Sequence, residues 1–197
     1  MSEPLTPAFS ERVPDGEDRP RRVCDHCGFV DYVNPKIVVG AVVAWSAGGR
    51  PFGPDPDPFE EVRFLLCRRA IMPRRGYWTL PAGYMETGET LAEATRREAQ
   101  EEALAELELD ALLCVYDIPA RSQVQVMHRA RLPKAEFGAG HETLDAQLFA
   151  WDDIPWKALA FHSVSWALMA FRESREQAAF PPFRNPPETG WLLPAGV

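Results

Sequence analysis

Cysteine is scarce in this chain, with four in 197 residues. That number excludes a disulfide-built scaffold and suits a reducing compartment. Cys67 and Cys114 stand alone within apolar runs, while Cys24-Asp25-His26-Cys27 forms a single C-x2-C knuckle. A structural zinc takes four ligands, generally from two such knuckles. No second C-x2-C occurs, so zinc on Cys24 and Cys27 alone is not expected. Positive charge is short as well: 21 Lys and Arg against 29 Asp and Glu leave a net charge of −8. A general nucleic-acid binder would show a basic face, so that class is disfavoured. No apolar run approaches the ~20 residues of a membrane span. The N-terminal stretch MSEPLTPAFSERVPDGEDRP has no apolar signal core. The expectation is a cytoplasmic protein whose partners include neither nucleic acid nor membrane. Internal repeats are also absent.

What is present reads as one folded domain between two irregular ends. Residues 1–33 are polar and Pro-rich and are expected to be poorly ordered, with the knuckle as a relic inside them. Residues 34–180 hold the periodic segments. Residues 181–197 carry Pro181, Pro182, Pro186, Pro187 and Pro194 and read as a tail without regular structure. Within the domain, the β-branched run from Ile37 to Trp45 reads as a buried strand. Val62–Arg68 is a second strand suited to pair with it. Between them, residues 47–61 (AGGRPFGPDPDPFEE) read as an irregular surface insertion with little packing capacity. Gly76–Pro81 is a short extended piece. Strands are also expected at 107–118, at 123–132, where polar and apolar residues alternate, and at 146–151. The Gly-rich residues 137–140 read as a flexible loop leading to His141 and Glu142. A late helix runs from Phe161 to Glu173 with one apolar side. Strands with one internal and one late helix indicate an α/β fold, a sheet flanked by helices.

The chemistry concentrates in GYMETGETLAEATRREAQEE, residues 83–102. The front half is a loop. Thr90 starts a helix, with Glu93 placed for a capping box. Leu91 to Ala105 are nearly all good helix formers. Glu98, Glu101 and Glu102 stand at i, i+3 and i+4 and share a face with Leu91 and Ala94. Arg96, Gln100 and Glu93 hold the opposite side. Two of the acids sit near the helix C-terminus, where the macrodipole and mutual repulsion disfavour anions. A cation that neutralises them explains the pattern better than a solvated acidic face. A cluster of hard oxygen donors suits Mg2+ or Mn2+.

The stretch resembles the Nudix box, G-x5-E-x7-R-E-U-x-E-E-x-G-U with U a bulky aliphatic. Gly83, Glu89, Arg97, Glu98, Glu101 and Glu102 match. Ala99 and Ala105 are small for U, and Leu104 stands where the family's late Gly ends the helix. The similarity extends through LCRRAIMPRRGYWTLPAGYMETGET, YDIP, HETLDAQLFAWDDIP and LAFHS to about residue 185. It points to zinc-ribbon-bearing Nudix hydrolases, among them plant chloroplast FAD pyrophosphatases and bacterial ADP-ribose/FAD pyrophosphatase relatives. The ribbon's upstream C-x2-C is missing.

This resemblance implies a Nudix-fold α/β/α sandwich with a mixed sheet, a Nudix hydrolase domain over 34–180, and a metal-dependent pyrophosphatase acting on a nucleoside diphosphate derivative. FAD or ADP-ribose is the implied substrate, split to AMP plus FMN or ribose 5-phosphate. Glu98, Glu101 and Glu102 match the family's metal-binding acids, and the Ala82 carbonyl matches a backbone ligand. Glu89 and Arg97 match a pair that orients the helix. Glu142 or Asp145 is the candidate for a further ligand or base from the late loop. Among the residues ahead of the box, Arg68 is the candidate for phosphate and Tyr77 for stacking on a base or flavin. Many relatives are homodimers, so a homodimer is expected. Two other readings stay open: a non-catalytic Nudix-fold nucleotide-binding regulator, and a dNTP housecleaning pyrophosphatase.

Overall fold

The computed structural model describes residues 8–187. It divides into two units at Pro35, each with its own sheet. The N-terminal unit is a three-stranded antiparallel sheet of β1 (Phe9–Arg12), β2 (Arg21–Cys24) and β3 (Val30–Asp31), in that spatial order. This corrects the expectation of a poorly ordered segment. Composition counted its prolines and charges, but short strands are held here by pairing and polar clamps. Glu17 accepts hydrogen bonds from Arg21 and from the Tyr32 hydroxyl. The Ser10 hydroxyl donates to Asp25 at 2.6 Å. Val23 and Cys24 are its buried apolar residues.

The larger unit is built on a mixed sheet of order β10-β5-β4-β9-β8. Its strands are β4 (Lys36–Trp45), β5 (Arg63–Arg69), β8 (Glu108–Ile118), β9 (Gln123–Arg131) and β10 (Thr143–Ala150). The short β6 (Trp78–Thr79) pairs with β5, and β7 (Ala82–Tyr84) pairs with β4. β4 and β9 run parallel and the other pairs are antiparallel. Two helices complete it, α1 (Leu91–Ala103) and α2 (His162–Ser174). Successive residues of a strand face opposite sides, and β4 serves two cores accordingly. Ala41 and Val43 pack with Leu65, Ala130 and Ala99 and Ala103 of α1. Val42 and Ala44 pack with Phe64, Leu113 and Val164, Leu168 and Phe171 of α2. The helices therefore cover opposite faces, and the α/β/α sandwich is as expected.

The insertion at 47–61 packs better than its composition suggested. Phe52 meets Phe171 edge-on at 5.9 Å, and Phe59 lies 5.4 Å from Trp151. Asp57 is buried and accepts from the Ser46 hydroxyl at 2.7 Å and the Arg50 N–H at 3.0 Å. Two aromatics and one satisfied carboxylate anchor a run whose regular structure is the short 3-10 turn Phe59–Glu61. The start of the Pro-rich tail is likewise engaged: Phe183 exchanges backbone hydrogen bonds with Leu113 and Val115 of β8, both 2.9 Å. The rest of that expected tail, from residue 188, lies outside the described residues.

Candidate active site

Helix α1 begins as its sequence dictates. The Thr90 hydroxyl accepts the Glu93 N–H at 3.2 Å and the Glu93 carboxylate accepts the Thr90 N–H at 2.8 Å, a closed capping box. Its other end is unusual. Leu104 takes the left-handed conformation (φ 49°) that the family fills with glycine. Ala105 N–H bonds back to the Ala99 carbonyl at 3.2 Å. The exposed carbonyls of the last turn are met from a distance: Gly138 N–H donates to Ala103 at 2.8 Å and Gly140 N–H to Glu102 at 3.0 Å. Residues 137–140 are thus docked on the helix end rather than free, correcting the flexible-loop expectation. The approach is so close that a Cβ on Gly140 would stand 1.7 Å from the Glu101 carbonyl oxygen.

The box loop is fastened by Arg97. Its guanidinium forks onto Glu89 at 2.6 and 3.0 Å, reaches Glu98 at 2.8 Å and Glu101 at 3.1 Å, and donates to the Tyr84 carbonyl at 3.0 Å. Glu89 also accepts the Glu86 N–H at 2.9 Å. These bonds hold the Glu89 carboxyl below its usual pKa, with Arg97 the main cause. Glu89 and Arg97 therefore position loop and helix, as a bidentate pair does well.

Glu98 and Glu102 are buried and Glu101 is more open. β7 passes beside them. The Ala82 N–H donates to Glu102 at 2.9 Å, and a Cβ on Gly83 would stand 2.3 Å from a Glu98 oxygen. Glycine at 83 lets the backbone lie against that carboxylate. Burial pushes the Glu102 pKa up to about 7; Glu98 and Glu142 add to the shift, and the Ala82 N–H and Arg69 oppose it. Burial also raises Glu98, against the pull of Arg97. Two partly desolvated carboxylates beside the β7 backbone are hard, anionic donors of the kind a divalent cation takes. Arg97 pairs with Glu98 and Glu101 on the side facing the box loop.

The remaining candidates separate. Glu142 is close enough to raise the pKa of both Glu98 and Glu102. It follows directly on the docked Gly140 loop, and its carbonyl receives the Ala70 N–H. Asp145 stands elsewhere. It alternates with Ala146 and Leu148, which pack on the α1 side, and so shares the other face with Phe149; its carboxylate accepts from Gln147 at 2.6 Å. Arg68 is tied to the Gly76 carbonyl at 3.0 Å, and Tyr77 is stacked under Arg74 at the tip of the β5–β6 hairpin. Neither is brought to the acids. Arg69 is the arginine whose charge acts on Glu102, and it also lies 5.4 Å over the Phe161 ring. The sequence put Arg68 forward, and spacing alone gives no means of choosing between adjacent arginines on opposite sheet faces.

At the knuckle, the N–H groups of Cys27 and His26 point at the Cys24 sulfur and lower its pKa. The knuckle supplies two thiols, where a structural zinc takes four donors.

Comparison with known proteins agrees with this geometry. Residues 57–170 match the NUDIX domain family and residues 7–33 match the Nudix N-terminal family, which includes the knuckle. The crystal structure of a NUDIX hydrolase from Nitrosomonas europaea is 35% identical, covers 93% of this chain and 96% of its own, and superposes with a TM-score of 0.78. An ADP-ribose pyrophosphatase of Methanocaldococcus jannaschii is 31% identical over 128 residues, 63% of this chain and 67% of that protein. The human 8-oxo-dGDP phosphatase NUDT18 is 34% identical over 126 residues, 62% of this chain but only 38% of NUDT18, so the match spans well under half of that relative. With the box acids, their Arg97 clamp and the sandwich all in place, the chain belongs to the Nudix hydrolase family.

Proposed function

We propose that this protein is a divalent-metal-dependent pyrophosphatase that hydrolyses the diphosphate of a nucleoside diphosphate derivative, ADP-ribose or FAD. AMP is one product, and ribose 5-phosphate or FMN the other. The observation that carries the reading is the β7 backbone against the box acids, with the Ala82 N–H on Glu102, Gly83 against Glu98 and Arg97 holding the helix to the loop. Glu98, Glu101, Glu102 and the Ala82 carbonyl would hold Mg2+ or Mn2+. When bound, the metal neutralises the diphosphate and lowers the pKa of a coordinated water. The protein's own contributions are positional and electrostatic. Gly83 and Arg97 fix the carboxylates, Arg69 adds positive charge near Glu102, and Glu142 is the acid outside the box best placed to take a proton from water.

The ADP-ribose pyrophosphatase among its relatives supports ADP-ribose. The 8-oxo-dGDP phosphatase relative supports a second reading, nucleotide housecleaning. The non-catalytic alternative is disfavoured because every box acid is retained. The test is a panel of ADP-ribose, FAD, NADH, diadenosine polyphosphates and dNTPs with Mg2+ or Mn2+, the products separated by chromatography. ADP-ribose or FAD should lead in kcat/KM. A leading dNTP or oxidised guanine nucleotide would replace this reading with housecleaning, and no turnover of any member would favour a binding module.

A further inference from the structure

Opposite α1, one row of residues crosses four strands. The registers place Tyr84 of β7, Val38 of β4, Gln125 of β9 and Tyr116 of β8 side by side, and cross-strand partners share a face. The row is closed at one end, where Trp166 of α2 meets Tyr116 edge-on at 5.5 Å. It is open at the other, where Tyr84 is 46% exposed. Val38 between them is half-buried.

Tyr84, at the open end of the row, is engaged by two neighbours. Gln123 donates to the Tyr84 hydroxyl at 3.0 Å, and the Lys36 ammonium lies 4.8 Å over the Tyr84 ring. Gln125 is only 9% exposed, and among the described residues its amide oxygen is enclosed without a hydrogen-bond partner. An enclosed acceptor without a donor costs free energy, and native structures rarely keep one without a use. The residue sits two strands and two residues from Ala82, roughly 12 Å by sheet spacing, a span on the scale of an adenosine 5′-phosphate from base edge to phosphate.

We propose that Gln125 is the specificity-determining residue for the base. The 6-amino group of adenine donates to its amide oxygen, over the half-buried Val38 and beside the Tyr84 ring. Glutamine is chemically suited, since its carboxamide matches the amino and ring-nitrogen edge of adenine. The inference rests on the adenine-nucleotide reading above and extends it to one side chain. A site built around a hydrogen-bonding group rejects analogues that lack the partner.

The test uses AMP, the product common to both proposed substrates, and purine riboside 5′-monophosphate, which lacks the 6-amino group. Binding is measured calorimetrically on the intact protein and on Gln125→Met, a near-isosteric change. Wild type should bind AMP at least tenfold tighter than the analogue. Gln125→Met should bind the two alike and, without ligand, melt at or above wild type because the unpaired oxygen is gone. Gln125→Glu, which keeps an acceptor, should retain a preference for AMP. Equal binding by wild type, a preserved ratio in Gln125→Met, tighter binding of GMP, or no binding of AMP would each overturn the assignment. Absence of ADP-ribose turnover with the AMP preference intact would instead count against the catalytic reading and leave Gln125 standing.

Discussion

Gly83 and Glu98 are in such close contact that the carboxylate occupies the space of the missing Cβ, 2.3 Å from where that atom would be. The first letter of the box is therefore a steric requirement on Glu98, an acid proposed to hold the metal. Gly83→Ala should push Glu98 off its position while leaving both cores untouched. Activity should fall at least a hundredfold, with a modest stability loss of about 1–2 kcal/mol. Steady-state kinetics together with thermal melting check this, and near-normal kcat would mean that Glu98 is not fixed by this contact.

Glu102 pays for its burial in the metal-free protein. Its folded pKa is raised from 4.5 to about 7, so the penalty is absent at low pH, grows as pH rises between those values, and is complete above. Glu102→Gln should accordingly raise the melting temperature of EDTA-treated protein at pH 8, by about 1–3 kcal/mol in stability. The gain should vanish near pH 4.5. The variant should also lose most of the stabilisation that Mg2+ gives wild type. Melting curves at both pH values, with and without Mg2+, read all three effects.

Leu104 holds the left-handed position that closes α1. Leu104→Gly should relieve backbone strain and stabilise by up to about 1 kcal/mol without changing kcat. Leu104→Val, β-branched at the same position, should destabilise by a similar amount. Gly140→Ala should be far worse, since its Cβ would enter the Glu101 carbonyl. Chemical denaturation of the three variants separates the two strains.

The late loop offers a direct contrast. Glu142→Gln should lower kcat by one to two orders of magnitude, because Glu142 lies in the electrostatic field of Glu98 and Glu102. Asp145→Asn, on the opposite sheet face, should leave kcat within about twofold of wild type. The reverse ordering would reassign the acid.

What was legible in the sequence followed from distance along the chain. The acids, their shared helix face, the capping box and the Arg97 partners all lie within one loop and one helix, where spacing translates directly into geometry. The choices among Arg68 and Arg69, and among Glu142 and Asp145, turn on which sheet face a residue occupies, and a bulge between Thr143 and Asp145 shifts that register. Gln125 looked like one of several polar residues on an alternating strand, and only its row across β7, β4 and β8 distinguishes it. The N-terminal strands were hidden by proline and charge, and the missing late glycine concealed that residues 137–140 dock on the helix end from some 35 positions away. Composition reports neither pairing nor docking, which explains why those segments were misjudged.

The central claim is that the α1 acids act through a divalent cation on a phosphoanhydride. It is tested most directly by following ADP-ribose hydrolysis against Mg2+ concentration in wild type and Glu101→Gln, the most open of the three acids and the one least needed for packing. No AMP should form in EDTA, Mg2+ should restore activity saturably in wild type, and kcat should fall at least a hundredfold in a variant that melts normally. EDTA-resistant cleavage, or full activity in Glu101→Gln, would contradict it.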